Sequence, residues 1–165
     1  MRFVADASTL ILLAKAEILL PAAEEYPFWI PDVVKDECLA KKTRDARMIS
    51  AALDAGRIEL RPSGASGVIR TLRRDFGLHR GEAEAVEMAL REKLPLAVDD
   101  YPAIKACRIL QIKFATAIHF AIALKRIGRL DVNAAEARLE KLAHFGRYSS
   151  RILQDALGRI RGEEQ

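Results

Sequence analysis

The stretch that most constrains this chain is residues 78–100, LHRGEAEAVEMALREKLPLAVDD. Gly81, Glu82 and Glu84 stand at the head of a helix-like run, and an apolar strand over 94–98 runs into Asp99 and Asp100. In a βαβ unit the helix descends from the carboxyl edge of a parallel sheet and the next strand climbs back to it. A helix of about 13 residues rising ~1.5 Å each descends ~20 Å, which a short strand at ~3.3 Å per residue and a loop roughly recover. The acids at both ends of the stretch are therefore expected at one edge, where ligands bind in open α/β sheets.

The order of the remaining segments shows what else reaches that edge. Residues 2–5 read as a first strand that delivers Asp6 to its carboxyl end. Ser8 or Thr9 can cap a helix over 10–20, which Pro21 stops or redirects. Residues 28–30 are a second strand. Pro31 and Asp32 open a helix to about Lys42 that carries Glu37 off its apolar face. A helix over 45–55 closes at Gly56, and 58–60 is a third strand. The segment 62–67, PSGASG, is the one flexible-looking loop, followed by a short basic helix over 67–75. After Asp100 come a helix over 101–110, a strand over 112–114, an apolar helix over 116–127 and two terminal helices over 131–144 and 149–160. This alternation calls for an α/β fold of three layers, α/β/α, with a short-stranded, mainly parallel central sheet. At 165 residues the chain reads as one domain over 1–165, the terminal helices from about 131 packing on the same core.

No apolar run approaches the roughly 18 residues that span a bilayer, so no membrane partner is expected. Cys38 and Cys107 lie far apart without a CxxC pair and read as structural thiols of a reducing compartment; a cytoplasmic protein is expected. A formal net charge of +4 fits a polyanionic partner without requiring one.

By this geometry Asp6, Glu37, Glu82, Asp99 and Asp100 share an edge. Crowded carboxylates raise one another's pKa unless a cation neutralises them, and hard oxygen donors suit Mg²⁺ or Mn²⁺. Such an ion polarises a phosphoryl oxygen and acidifies an attacking water, which points to phosphodiester hydrolysis. Each acid also has a plainer reading as a helix cap or a solvated charge. His79, His119 and His144 share no metal-ligand spacing. Lys41, Lys42 and Arg44 follow the Glu37 helix, and Arg74 and Arg80 precede Glu82; both groups could border the cleft and hold a nucleic-acid backbone, or be solvated faces.

Four segments in order, VADASTLILLAK, IPDVVKDECL, LHRGEAEAVEMAL and LAVDDYPAIKAC, resemble the PIN-domain family, closest to a prokaryotic toxin-like branch. The likeness extends to the late GRYSSRILQDAL. It implies a Mg²⁺- or Mn²⁺-dependent ribonuclease, an antitoxin protein as partner, and a homodimer. Carried over by position, the catalytic acids fall on Asp6, Glu37, Glu82 and Asp100. The metal ligands are Asp6, Glu82 and Asp100, with Asp99 in place of Asp100 if the strand ends earlier. Glu84 neighbours the third acid. Ser8 would hold Asp6 or a water, and Thr116 stands where the family often has Thr. The chain departs from the family in carrying FATAIHFA after the last strand and Glu rather than Asp as third acid. The alternative is a catalytically weak PIN-like domain that binds nucleic acid or a protein.

Overall fold

The computed structural model describes residues 1–163. In chain order the elements are β1 (Phe3–Ala5), α1 (Ala7–Lys15), α2 (Leu19–Glu25), β2 (Phe28–Ile30), α3 (Asp32–Leu39), α4 (Arg44–Asp54), β3 (Ile58–Leu60), α5 (Ser66–Phe76) and α6 (Arg80–Glu92). They continue as β4 (Leu96–Ala97), α7 (Tyr101–Leu110), β5 (Phe114–Ala115), α8 (Ala117–Arg126), α9 (Val132–Phe145) and α10 (Ser150–Arg161).

The five strands form one sheet in the order β3-β2-β1-β4-β5, and every pairing is parallel. Strands of two or three residues make few ladder bonds, so burial on both faces holds them. Val4, Leu96 and Val98 point into a layer with Leu72 of α5, Val86 and Met88 of α6 and Cys107 of α7. Ala5, Phe28, Ile30 and Ala97 face the opposite layer, with Leu10 and Leu13 of α1, Ile49 of α4, Phe120 of α8, Leu142 of α9 and Ile160 of α10. The sheet is thus sandwiched as the expected three-layer α/β/α fold. Among the described residues, no helix is long and apolar enough to cross a membrane.

The strand order places the site. From β1 the chain winds outward to β2 and β3, then returns to lay β4 and β5 on the other side. The direction reverses between β1 and β4, and such a switch point opens a crevice beyond the carboxyl ends of the two strands. Asp6 N–H donates to Ala97 O at 3.2 Å, so the Asp6 backbone lies beside the end of β4.

Three local expectations need correction. The helix expected over 10–20 is two helices broken before Pro21. Ile18 N–H donates to Leu13 O at 2.8 Å and Glu17 N–H to Ala14 O at 3.0 Å, with Glu17 at φ 60°. This is a Schellman closure with Glu where Gly is usual. Pro21 sits in the first turn of α2, where no backbone donor is needed. The helix carrying Glu37 ends at Leu39 rather than Lys42. The PSGASG loop is pinned: Ser63 Oγ donates to Glu84 Oε2 at 2.6 Å, Gly64 N–H to Glu87 Oε2 at 3.1 Å, and Arg91 to Pro62 O at 2.9 Å.

Candidate active site

Asp6 is the N-cap of α1. Its Oδ1 accepts from Thr9 N–H and its Oδ2 from Ser8 Oγ, both at 3.0 Å. Only 2% of the residue is exposed. Burial pushes its carboxyl up to about 7, and the charge of Asp99 adds to the rise, against the lowering by its donors. Cys38 and Cys107 are buried close by; burial first, then the Asp6 charge, pushes both thiols up to about 12, which leaves them inert.

Asp99 and Asp100 have separate environments. Asp99 Oδ2 accepts from Thr9 Oγ1 at 2.7 Å, both Asp99 oxygens accept from Ala117 N–H at 3.1 and 3.2 Å, and the Tyr148 hydroxyl donates to Oδ1. Asp99 therefore ties α1, the N-terminus of α8 and the α9–α10 connection together. Burial still holds its carboxyl above the usual range. Asp100 stands at the N-cap position of α7 without making a side-chain cap bond. Its carboxylate turns instead to Glu82 and His79: one ligand atom from each of the three lies within 4.8 Å of the others.

Glu82 and His79 close a capping box at the head of α6. Glu82 Oε2 accepts from His79 N–H at 3.1 Å, and His79 Nδ1 accepts from Glu82 N–H at 3.4 Å. Glu82 is 5% exposed. Burial, then its hydrogen bond with Asp100, pushes its carboxyl up to about 7. Across the imidazole, Glu37 Oε1 lies 3.7 Å from His79 Nδ1. Burial raises the Glu37 carboxyl, opposed by His79 and the Gly81 N–H. Gly81 is required here because a Cβ would meet Glu37 Oε1 at 2.3 Å.

The expected acids thus fall into two groups: Asp6 and Asp99 share Thr9 as donor, and Asp100 meets Glu82 and His79, with Glu37 beyond the imidazole; Asp6 lies outside the His79–Glu82–Asp100 group. Glu84 stands apart, buried and bonded to Ser63 and to Arg80 Nε at 2.9 Å. Thr116 caps α8 in a box with His119, whose Nδ1 lies 2.9 Å from its Oγ1; it therefore positions the helix whose first N–H groups include the Ala117 donor to Asp99. Sequence reasoning missed His79, Thr9 and Tyr148 as site residues. His79 carried one signal, its place three residues before Glu82, where an N-cap belongs. Tyr148 carried none.

The basic residues divide. Arg44 pairs with Glu17 at 3.1 Å, beyond the far end of α1 from Asp6. The expectation that Lys41, Lys42 and Arg44 border the acids is therefore corrected: α3 carries the chain away from the carboxyl edge before they occur. Arg74 pairs with Asp75 at 2.9 Å on α5. With Arg70, Arg73, Gly77 and Leu78 it lines a surface hollow next to His79 in the chain.

Among the described residues, no Lys or Arg pairs with Asp6, Glu37, Glu82, Asp99 or Asp100, in contrast to Glu84 and Glu87 on the same helix, paired with Arg80 and Arg91. Oxygen donors crowded without a Lys or Arg partner, with an imidazole beside them, fit a divalent cation. The fold and this edge define an α/β/α protein with an acidic site at its switch point. More narrowly, residues 2–161 match the family DUF3368, described as a PIN domain, and the chain belongs to that family. The PIN fold is a nuclease fold whose members usually use divalent metals. No curated protein and no solved structure matches the chain.

Proposed function

We propose that this protein is a cytoplasmic ribonuclease that hydrolyses RNA phosphodiester bonds with Mg²⁺ or Mn²⁺ at the Asp6–Glu82–Asp100 edge. The observation that supports the reading is the meeting of chain-distant Glu82 and Asp100 beside His79, with no Lys or Arg partner among the described residues, while Asp6 stands at the adjoining end of β1; burial holds Asp6 and Glu82 near 7. A bound divalent ion would polarise the scissile phosphoryl group and acidify water. Asp6, Glu82 and Asp100 would hold it; Ser8 and Thr9 fix the Asp6 carboxylate, and the His79 box fixes Glu82. Asp99, its oxygens already accepting from Thr9, Ala117 and Tyr148, would position rather than bind. Glu37, half-exposed beyond His79, would hold a second ion or orient water. Arg70, Arg73, Arg74 and Arg80 would hold the RNA backbone beside the cleft.

The reading extends to the toxin half of a toxin–antitoxin pair, acting as a homodimer. It is supported by the PIN membership. The test is cleavage of long RNA with Mn²⁺ or Mg²⁺, with chelator, and with Asp6→Asn. Cleavage should stop with chelator and fall about 100-fold or more in the variant. Full activity in the variant would overturn the mechanism.

A further inference from the structure

His79 occupies a place in the site that an all-carboxylate centre does not explain. Its Nε2 lies 3.1 Å from Glu82 Oε1 and its Nδ1 lies 3.7 Å from Glu37 Oε1, and one of its ring nitrogens is within 4.8 Å of the Glu82 and Asp100 ligand atoms. The ring therefore stands between two carboxylates, one nitrogen toward each. Two ligands about 2.1 Å from an ion lie roughly 3 Å apart when adjacent and roughly 4.2 Å apart when opposite. The His79, Glu82 and Asp100 ligand atoms lie within 4.8 Å of one another, so a pair at that limit would close by about 0.6 Å to sit opposite on one ion and by more to sit adjacent.

We propose that His79 is a nitrogen ligand of the divalent site, with Glu37 orienting its ring from behind, and that this makes the centre selective for Mn²⁺ over Mg²⁺. The inference rests on the reading that Glu82 and Asp100 hold an ion. Metal-binding imidazoles characteristically give their second N–H to a carboxylate, which fixes tautomer and orientation. Here ligation through Nε2 places the proton on Nδ1, opposite Glu37. Two contacts are given up: the 3.4 Å one from Glu82 N–H to Nδ1, and the 3.1 Å one between Nε2 and Glu82 Oε1, which a shared ion would replace. Glu37 lies against Gly81, where a Cβ would come within 2.3 Å of its Oε1. Mg²⁺ keeps to oxygen donors and water, whereas imidazole favours first-row transition ions. A nitrogen in the coordination sphere therefore strengthens Mn²⁺ binding and does little for Mg²⁺.

The test uses the full chain with Mn²⁺ alone, then Mg²⁺ in competition. Wild type, His79→Ser and Glu37→Gln are compared by free-Mn²⁺ EPR for affinity and by pulsed EPR for ¹⁴N coupling to the bound ion. Serine keeps a Ser-x-x-Glu capping box with Glu82, so α6 stays capped, and circular dichroism checks the fold. Wild type should show ¹⁴N coupling and bind Mn²⁺ more tightly than Mg²⁺. His79→Ser should abolish the coupling and weaken Mn²⁺ about tenfold or more, with Mg²⁺ changed by less than about twofold. Glu37→Gln should keep the coupling and weaken Mn²⁺ by a smaller factor. Bound Mn²⁺ without ¹⁴N coupling in wild type, or an unchanged Mn²⁺/Mg²⁺ ratio in His79→Ser, would overturn the inference and leave the metal site standing. Wild type that binds neither ion would overturn both.

Discussion

Asp6 and Glu82 are both held near 7 by burial, well above the roughly 4 at which Asp and Glu titrate in an unfolded chain. Between these values the folded protein keeps protons that the unfolded chain has lost, so stability falls as pH rises from about 4 to about 7. Glu17 and Glu136, held low by Lys141 and Arg161, act in the opposite sense, but below the ordinary Glu range and on the surface. With chelator present, the melting temperature should therefore drop from pH 5 to pH 8, and Mn²⁺ should restore most of it at pH 8. A melting temperature that rises over that interval without metal would contradict the burial of these carboxyls. Tyr148→Phe tests the support behind them. Loss of the hydroxyl donor to Asp99 should cost roughly 1.5–3 kcal/mol in denaturant unfolding and weaken activity without abolishing it. Asp6, Glu82 and Asp100 were legible in the sequence because strand ends and helix starts announce themselves. Thr9 and Tyr148 were not, because their partner Asp99 lies 90 and 49 residues away.

The element that matters most is α6. Its first turn carries Glu82, its capping residue is His79, and its glycine admits Glu37. In an exposed helix Gly→Ala usually stabilises by about 1 kcal/mol. At Gly81 the added methyl would instead displace the Glu37 carboxylate, 2.3 Å from the new Cβ. Gly81→Ala should therefore fold normally by circular dichroism while losing activity as severely as Glu37→Ala. Retention of full activity would show that Glu37 has no role at the site. Helix starts were legible through Ser, Thr, Asp and Pro. Several helix ends were not, because Glu17, Lys93 and Gln111 adopt positive φ in places where glycine would have signalled a stop. The pinned PSGASG loop was also hidden, since its partners Glu84 and Glu87 lie 21 and 23 residues away from Ser63 and Gly64.

At the scale of the whole molecule, the α/β/α class followed from the alternation of strands and helices, but the strand order did not. That order places β1 beside β4 and so makes the crevice. Arg70 and Arg73 on α5 pair with no acid among the described residues and line the same hollow as Arg74. Removing either by Arg→Ala should lower the salt dependence of RNA affinity by about one unit of slope, nearly independent of RNA sequence. An unchanged slope would remove α5 from the RNA path. The most direct measurement of the central claim is anomalous diffraction from a crystal grown with Mn²⁺. A manganese peak ligated by Asp6, Glu82 and Asp100 is expected, with Asp99 still bonded to Thr9 and Tyr148. An edge that stays free of manganese at saturating concentration, with the acids bridged by protons or by a basic side chain, would contradict it.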